Sequence, residues 1–231
     1  VLSKLNQSIK YFFGCPMVHE IGKTNSIFNH FIAEIRDEEI QKDSLRFRRN
    51  LERIGEILGY EISKTLTYKE TVVKTPLGEA NVKLMPEQPV IASILRAGLT
   101  LHNGLLNTFD KAENAFISAY RRPTGTDEID VMVEYKACPD LTDKTLIIAD
   151  PMLATGLSMA LVFEALLKNG TPKKIHIAAA IASQSAIDML KKNLPIPTDI
   201  WVGSIDENLN AKSYIVPGLG DAGDLAYGVK L

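Results

Sequence analysis

Hydrophobic residues recur with helical spacing through residues 26–60, near the beginning of the chain. Spacings of three and four residues place them on one face of an α-helix, so we predict two amphipathic helices there. The apolar positions are Ile27, Phe28, Phe31, Ile32, Ile35, Leu45, Phe47, Leu51, Ile54, Ile57 and Leu58. Residues 71–84 differ, because two β-rich runs surround Pro76-Leu77-Gly78 and predict a hairpin outside the main sheet.

From residue 89 onward, short apolar runs alternate with helical stretches, as in βαβ units with a covered parallel sheet. The predicted strands are residues 90–95, 116–120, 145–149, 175–181 and 199–203. The predicted helices are residues 99–108, 157–169 and 184–192. Residues 129–135 (IDVMVEY) alternate in polarity and predict one half of an antiparallel arm. The pattern therefore predicts an α/β fold with a mostly parallel sheet flanked by helices.

Length and charge narrow the classes of protein. The 231 residues fit one domain, with residues 1–88 as an appendage of helices and hairpin and residues 89–231 as the core. The net charge of −2 disfavours nucleic acid and anionic membranes as partners. The two cysteines, Cys15 and Cys138, are too far apart in sequence to suggest a disulfide framework or a zinc site. Since no apolar run approaches the roughly 20 residues of a membrane span, we expect a soluble protein of the cytoplasm.

Residues 145–158 (TLIIADPMLATGLS) carry the clearest chemical signal. A buried strand ends at Asp150, and a short loop with Thr155 and Gly156 leads into a helix with Ser158 in its first turn. A helix N-terminus beyond the carboxyl end of a strand attracts phosphate, and Asp150 is placed to accept hydrogen bonds from sugar hydroxyls. The alternative is that these side chains only cap the helix. The chain contains no Gly-Lys-Ser/Thr, so an NTPase is disfavoured.

Two arginines follow other predicted strands. Arg96 ends the run 90–95 and is followed by Ala97 and Gly98, whose small size lets a ligand approach. Arg121 follows the run 116–120 in the same way. Guanidinium groups at this edge suit a pyrophosphate, although each arginine alone is more often part of a surface ion pair.

Residues 214–228 (YIVPGLGDAGDLAYG) form the third candidate segment. Its G-x-G-x-x-G spacing does not indicate a dinucleotide fold, because only eight residues remain after Gly223. We interpret it as a glycine-rich loop that binds a flat, amide-like ligand through backbone groups. A purely structural turn is the alternative, but it leaves Asp221 and Asp224 unexplained. The four histidines are scattered and are expected to be satisfied structural residues.

Together these segments resemble the uracil phosphoribosyltransferase family. The resemblance rests on ILRAGL at 94–99, DPMLATG at 150–156, SID at 204–206 with LN at 209–210, and YIVPGLGDAGD at 214–224. It implies a type I phosphoribosyltransferase fold with N-terminal helices, a β-arm and a C-terminal hood. It also implies conversion of uracil and phosphoribosyl pyrophosphate (PRPP) into uridine monophosphate (UMP) and pyrophosphate, with Mg²⁺ as cofactor.

The resemblance assigns roles to individual residues. The catalytic set would be Arg96, Arg121, Asp150 and Asp221. The PRPP-binding set would be Arg96, Arg121, Asp150, Pro151, Met152, Leu153, Ala154, Thr155, Gly156, Leu157, Ser158 and Asp221. The uracil-binding set would be Ile215, Gly220, Asp221 and Ala222. Asp221 would also meet the metal indirectly, through water. No general base for the uracil N1 proton is evident.

The chain departs from the usual family pattern in several places. Leu157 and Ser213 stand where the family usually has glycine, and Thr100 and Asn103 alter the run after Arg96. We predict that Leu157 begins a helix and does not need positive φ. Residues 123–139 also differ from the usual arm, and such arms often mediate dimer contacts.

Two alternatives stay open. One is a phosphoribosyltransferase for another base, and the other is an RNA-binding regulator that keeps the fold. The only basic run, Arg46-Phe47-Arg48-Arg49, is interpreted as a solvated helix face or subunit contact, with an activating nucleotide as a further alternative ligand. The resemblance also suggests a homodimer or higher homo-oligomer and leaves GTP open as an effector.

Overall fold

The computed structural model describes residues 16–123, 129–194 and 196–230. This part of the chain contains six α-helices: α1 (Phe28–Arg36), α2 (Ser44–Ser63), α3 (Gly98–Thr108), α4 (Leu157–Leu167), α5 (Gln184–Asn193) and α6 (Ala222–Tyr227). The strands are β1 (Met17–Glu20), β2 (Lys69–Thr75), β3 (Gly78–Leu84), β4 (Val90–Leu95), β5 (Glu113–Pro123), β6 (Ile129–Ala137), β7 (Thr145–Ala149), β8 (Met152–Leu153), β9 (Lys174–Ser183), β10 (Thr198–Asp206), β11 (Asn208–Leu209) and β12 (Ile215–Val216).

A mostly parallel sheet forms the centre of the fold. Its order is β1-β10-β9-β7-β4-β5-β6, with β8 pairing beside β7 on β9. All neighbours run parallel except β6, which is antiparallel to β5. The predicted α/β class, parallel sheet and antiparallel arm are therefore confirmed. The predicted bounds of β4 and β7 agree with the structure to the residue because both are continuous buried runs.

The predicted end of β5 is wrong. The strand spans Glu113–Pro123, and its parallel ladder with β4 stops at the pair Leu95 and Ser118. The strand pairs with β6 from Phe116 onward, and beyond a register shift after Ser118 it continues beside β6 without β4. Arg121 consequently lies within the arm and not after the end of a strand, since it pairs with Val131.

Helices cover both faces of the sheet and enclose two apolar cores. One core packs the apolar faces of α1, α2 and α3 together with Ala222 and Ala226 of α6. The other packs α4 and α5 against the opposite face. The C-terminal segment therefore shares a core with the N-terminal helices. No helix within the described residues combines the length and apolar character needed to cross a membrane.

Strands β2 and β3 form a separate antiparallel hairpin, as predicted. All residues of β2 and most of β3 are exposed. Leu77 at its tip is 100% exposed.

A second small hairpin, β11–β12, leads into the C-terminal glycine-rich segment, which begins with β12. Asn210 holds its turn, because the side-chain Oδ1 accepts backbone N–H groups of Lys212 at 2.9 Å and Tyr214 at 3.0 Å. Ser213 adopts φ of 60° inside this turn. A residue with a Cβ is disfavoured in that left-handed conformation, which explains why glycine suits the position.

Three histidines lie beside the sheet, His102 and His176 buried and His19 half-buried, and the prediction that they are satisfied structural residues is confirmed only in part. His176 Nδ1 accepts the Trp201 indole N–H at 3.1 Å, and the His19 ring stacks on Trp201 with centroids 3.8 Å apart. One ring nitrogen of His19, His102 and His176 has no hydrogen-bond partner among the described residues, so these histidines are not fully satisfied. Burial lowers the pKa of His176 to about 4. His176 is therefore neutral near pH 7, with its proton on Nε2.

Replacing Ser213 by glycine should stabilise the fold. The substitution removes about 1 kcal/mol of strain in the left-handed backbone conformation. Glycine also makes the unfolded chain more flexible, which lowers the stability by a smaller amount. We expect the urea midpoint to rise for Ser213→Gly, whereas Ser213→Ala, which keeps the Cβ, should match the wild type. Equal midpoints for all three proteins would contradict this account of the turn.

Stability should fall in acid through His176. Between the ordinary histidine pKa near 6.5 and the folded value of about 4, the unfolded chain binds a proton that the folded chain does not. The contribution of neutral His176 to the free energy of unfolding is complete above pH 6.5. It decreases by about 1.4 kcal/mol per pH unit as the pH falls toward 4. His176→Asn keeps an acceptor for Trp201, so urea unfolding at stepped pH values should show a shallower decline for the variant. Identical slopes would contradict the assignment.

Candidate active site

Asp150 lies directly after β7, at the carboxyl edge of the sheet. Its backbone N–H donates to the Ala178 carbonyl at 3.1 Å, and its Oδ1 accepts the Met152 N–H at 3.3 Å. The side chain is half-buried. The structure thus places this carboxylate where the sequence pattern predicted, at the start of the loop 151–156.

Strand β9 holds that loop along its length. Two backbone N–H groups of β9 donate to the Pro151 carbonyl at 3.0 and 3.1 Å, and Met152 and Leu153 pair with β9 as β8. The Ser183 hydroxyl donates to the Ala154 carbonyl. The loop therefore has a defined backbone path before it reaches α4.

Gly156 makes the turn into α4. It adopts φ of 74°, and a Cβ there would lie 2.4 Å from Met189 Cε. Leu157 begins α4 and is absent from the described non-glycine residues with positive φ, so its prediction is confirmed. The Thr155 hydroxyl accepts the Leu157 N–H at 3.3 Å. Ser158 lies in the first turn, as predicted.

Arg96 follows β4 at the same edge, and its side chain reaches the C-terminal segment. Its Nη2 lies 2.8 Å from Asp224 Oδ1, and its Nη1 donates to the Gly228 carbonyl at 3.1 Å. The side chain is 41% exposed. The guanidinium therefore sits at the predicted edge with two acceptors of its own chain. For Arg121 the structure describes the backbone but not the side chain, so its ligand role stays a prediction.

The C-terminal segment joins buried anchors to an exposed glycine. Ile215, Leu219 and Ala222 are buried, whereas Gly220 is exposed with φ of 90°. The atom nearest to a Cβ built on Gly220 is 4.0 Å away. There is therefore open space beside the backbone of Gly220, which was predicted to bind a flat ligand.

Both acidic residues of this segment have structural partners. Asp221 caps α6, since its Oδ1 accepts the N–H groups of Gly223 at 2.9 Å and Asp224 at 3.0 Å. Its Oδ2 lies 3.4 Å from Lys230 Nζ, and Asp224 pairs with Arg96. The structural alternative to a binding loop therefore does account for both acids. Sequence reasoning missed the short helix that they serve.

The three segments meet at one edge of the sheet. A Cβ on Gly98 would lie 2.6 Å from the Ala149 carbonyl, which brings the end of β4 against the end of β7. A Cβ on Gly223 would lie 3.9 Å from Ala97 Cβ, which brings the C-terminal segment against the end of β4. Ligands of open α/β sheets bind at this edge.

Four further residues hold the C-terminal segment and were not foreseen. Arg36 and Asp206 form a buried ion pair beneath Gly218. The Arg48 guanidinium donates to the Ala226 carbonyl at 2.7 Å, and the hydroxyls of Thr100 and Tyr227 are 2.9 Å apart. The departure at Thr100 thus supplies a contact to α6. Asp206 carried a sequence signal, because it is the last residue of the SID motif at 204–206.

The arginines of the basic run on α2 lie in two different environments. Arg46 pairs with Glu34, and Arg49 pairs with Glu52, both at the exposed face of the helix. Arg48 instead turns toward α6. The solvated-face prediction is therefore confirmed for Arg46 and Arg49 and is wrong for Arg48.

A cavity of about 890 Å³ lies at the opposite edge, among the amino ends of the strands. Three of its lysines already pair with carboxylates: Lys144 with Glu113, Lys173 with Glu87, and Lys174 with Asp199. It shares no residue with the three motifs. The motifs thus converge away from this cavity.

Comparison with known proteins agrees with this geometry. The family model described as uracil phosphoribosyltransferase matches residues 23–229. A protein of that name from Porphyromonas gingivalis is 55% identical over 214 residues, covering 93% of this chain and 99% of that protein. One from Pyrococcus furiosus is 38% identical over 200 residues, covering 85% of this chain and 84% of that protein.

A solved structure extends the agreement to the fold. The AQ2163 protein from Aquifex aeolicus superposes with a TM-score of 0.82 at 30% identity, covering 93% of this chain and 100% of that one. The mostly parallel sheet, its flanking helices and the arm constitute a type I phosphoribosyltransferase fold. Because the family match runs through all three motifs at the sheet edge, the chain belongs to the uracil phosphoribosyltransferase family.

Proposed function

We propose that this protein transfers the phosphoribosyl group of PRPP to N1 of uracil, producing UMP and pyrophosphate. The observation that carries the proposal is the meeting of the Asp150 loop and the Gly220 segment at one carboxyl edge. Family membership supports the same reaction. Residues 1–231 would act as one phosphoribosyltransferase domain in the cytoplasm.

PRPP would be held by the loop 150–158. Asp150 accepts the ribose hydroxyls, and the backbone N–H groups at the start of α4 bind the 5′-phosphate, with the positive end of the helix dipole toward it. Arg96 and Arg121 meet the pyrophosphate. To do so, Arg96 exchanges its contact with Asp224 for a contact with the ligand.

Uracil would be read by the backbone of Ile215, Gly220 and Ala222. Fixed N–H and C=O groups distinguish the donor and acceptor pattern of a base edge. Cytosine presents a donor where uracil presents an acceptor, which would leave a buried backbone group unpaired. This accounts for selectivity without a dedicated side chain.

The reaction breaks the bond from the anomeric carbon to pyrophosphate and forms the bond from that carbon to N1. The N1 proton leaves to an acceptor that we do not assign. The oxocarbenium-like transition state requires little covalent assistance, so catalysis comes from positioning and from stabilising the departing negative charge. Arg96 and Arg121 supply positive charge at the leaving group, and Asp150 orients the sugar.

The carboxylate chemistry of this edge fits Mg²⁺. The ion binds through one or two carboxylates together with substrate phosphates, which suits the half-buried Asp221 beside the proposed pyrophosphate position. Asp221 Oδ2 is paired with Lys230 Nζ at 3.4 Å, and this long contact would give way for the carboxylate to hold the ion through water. When bound, Mg²⁺ neutralises charge on the pyrophosphate.

The family resemblance also suggests how the protein assembles. We propose a homodimer or higher homo-oligomer, and the exposed apolar side chains Val72 and Leu77 on the β2–β3 hairpin support it. GTP is proposed as an effector on the family resemblance alone. No nucleic acid or membrane is proposed as a partner, because Arg46 and Arg49 are paired and Arg48 is turned inward.

UMP formation tests the proposal directly. With PRPP and Mg²⁺ we expect product from uracil and none from cytosine, hypoxanthine or orotate. Asp221→Asn should keep the α6 cap, since asparagine caps helices as well as aspartate does, but lose the charge and at least about 100-fold in activity. Product with another base would identify the first alternative. No product with any base, together with an RNA gel shift at low salt, would replace the proposal by the regulator.

Gly156→Ala should weaken PRPP binding selectively. The new Cβ meets Met189 in a left-handed backbone, so the loop must shift and KM for PRPP should rise by about tenfold, with KM for uracil unchanged. Gly78→Ala is the matched control, because Gly78 also has positive φ but lies in open space at the hairpin tip. An equal effect of both substitutions on KM for PRPP would contradict the role of the loop.

A further inference from the structure

A buried ion pair lies beneath the segment that is proposed to read the base. Arg36 at the end of α1 donates through Nη1 to Asp206 Oδ2 at 2.8 Å and through Nη2 to Asp206 Oδ1 at 2.9 Å. The two side chains are 19% and 7% exposed. Such a pair is costly to bury and is retained where its geometry is closely matched and its remaining hydrogen bonds are made.

Those remaining hydrogen bonds are made to a single residue, Gly218. Its N–H donates to Asp206 Oδ2 at 3.1 Å, and its carbonyl accepts from Arg36 Nη1 at 3.1 Å. Both backbone polar groups of Gly218 are therefore held by the same ion pair. We call Arg36, Asp206 and Gly218 the clamp.

The position that the clamp holds requires glycine, and it lies two residues before the exposed backbone of Gly220. Gly218 has φ of 61°, and a Cβ there would lie 2.0 Å from the Ile215 carbonyl oxygen. The tight turn thus brings Ile215 and Gly218 together. The position of the Gly218 peptide sets the direction in which the chain continues toward Gly220.

Gln41 reinforces the same path. With its amide oriented to satisfy its neighbours, the side-chain nitrogen donates to the Leu219 carbonyl at 2.8 Å and to the Ile35 carbonyl at 3.2 Å. Side chains from the α1–α2 region therefore contact successive carbonyls of the C-terminal segment.

We propose that Arg36 and Asp206 are positioning residues for base recognition. They touch neither substrate in the proposed arrangement; they fix the Gly218 peptide, and through it the backbone groups that read uracil. The inference rests on the proposed function. Backbone N–H and C=O groups cannot change rotamer to fit a ligand. Selectivity and affinity for the base therefore require that side chains of other elements hold the peptide planes in place.

Single substitutions of the clamp should affect one substrate. Arg36→Lys offers one nitrogen where the guanidinium offers two, and Asp206→Asn turns a donor toward other donors. For each folded variant we expect KM for uracil to rise by about tenfold or more, with KM for PRPP within about twofold of wild type. Arg46→Lys is the matched control. Arg46 also makes two hydrogen bonds to one carboxylate, that of Glu34, but within the part of the chain that the structure describes it has no hydrogen bond or ion pair with the C-terminal segment. It should leave both KM values unchanged.

A double variant separates positioning from stability. Arg36→Met combined with Asp206→Leu removes both charges, and such apolar replacements of buried pairs often preserve stability. We expect its melting temperature to equal or exceed that of the single variants while KM for uracil stays high. A double variant with wild-type KM for uracil would overturn the inference, as would single variants whose KM values for both substrates change equally.

The wild-type reaction keeps the two proposals apart. If the wild-type protein forms no UMP, the proposed function has failed. If it forms UMP and the folded Arg36→Lys and Asp206→Asn proteins retain wild-type KM for uracil, the clamp inference alone has failed.

Discussion

The ion pair between Arg36 and Asp206 connects parts of the chain that are 170 residues apart in sequence. It joins the end of α1 to the end of β10 and, through Gly218, to the C-terminal segment. The same segment packs Ala222 and Ala226 into the core formed by α1, α2 and α3. The N-terminal helices therefore support the C-terminal segment, although the sequence pattern predicted them as an appendage to a core formed by residues 89–231.

The parallel sheet determines where this support is needed. Because β4, β7 and β9 run parallel, the loops that follow β4 and β7 emerge at one edge and are within reach of the same ligand. The loop after β7 is fixed by hydrogen bonds to β9, whereas the C-terminal segment has only the two-residue strand β12 and the short helix α6. Its order must come from side chains of other elements, and Arg36, Arg48 and Thr100 provide it.

What the sequence could predict follows from how local each feature is. Strands β4 and β7 were predictable because each is a continuous apolar run with a polar residue at its end. The continuation of β5 to Pro123 was not, because it depends on pairing with β6 and not on burial in the sheet. Strand β1 has four residues at an edge, too few to show a pattern. Helix α6 lies among glycines that disfavour a helix, and it is stabilised by the Asp221 cap and by tertiary contacts.

The site shows the same division. Asp150 and Arg96 follow strand ends that hydrophobic patterning marks, and Gly156 precedes a helix that it marks, so their placement at one edge was predictable. The partner of Arg96 was not, since its contact with Asp224 spans 128 residues. The resemblance identified the loops that are proposed to meet ligands. It included Asp206, in the SID motif, but not its partner Arg36, because the ion pair joins residues 170 positions apart.

The contact between Arg96 and Asp224 also bears on how charge moves when a ligand arrives. Before binding, the guanidinium is already neutralised by a carboxylate of its own chain. In the proposed reaction, pyrophosphate takes the place of that carboxylate, so one ion pair is exchanged for another and the arginine is not stripped of a counterion in either state. Asp224, a half-buried acid on α6, then loses its partner. Binding of the anion at Arg96 therefore leaves an unpaired negative charge on α6.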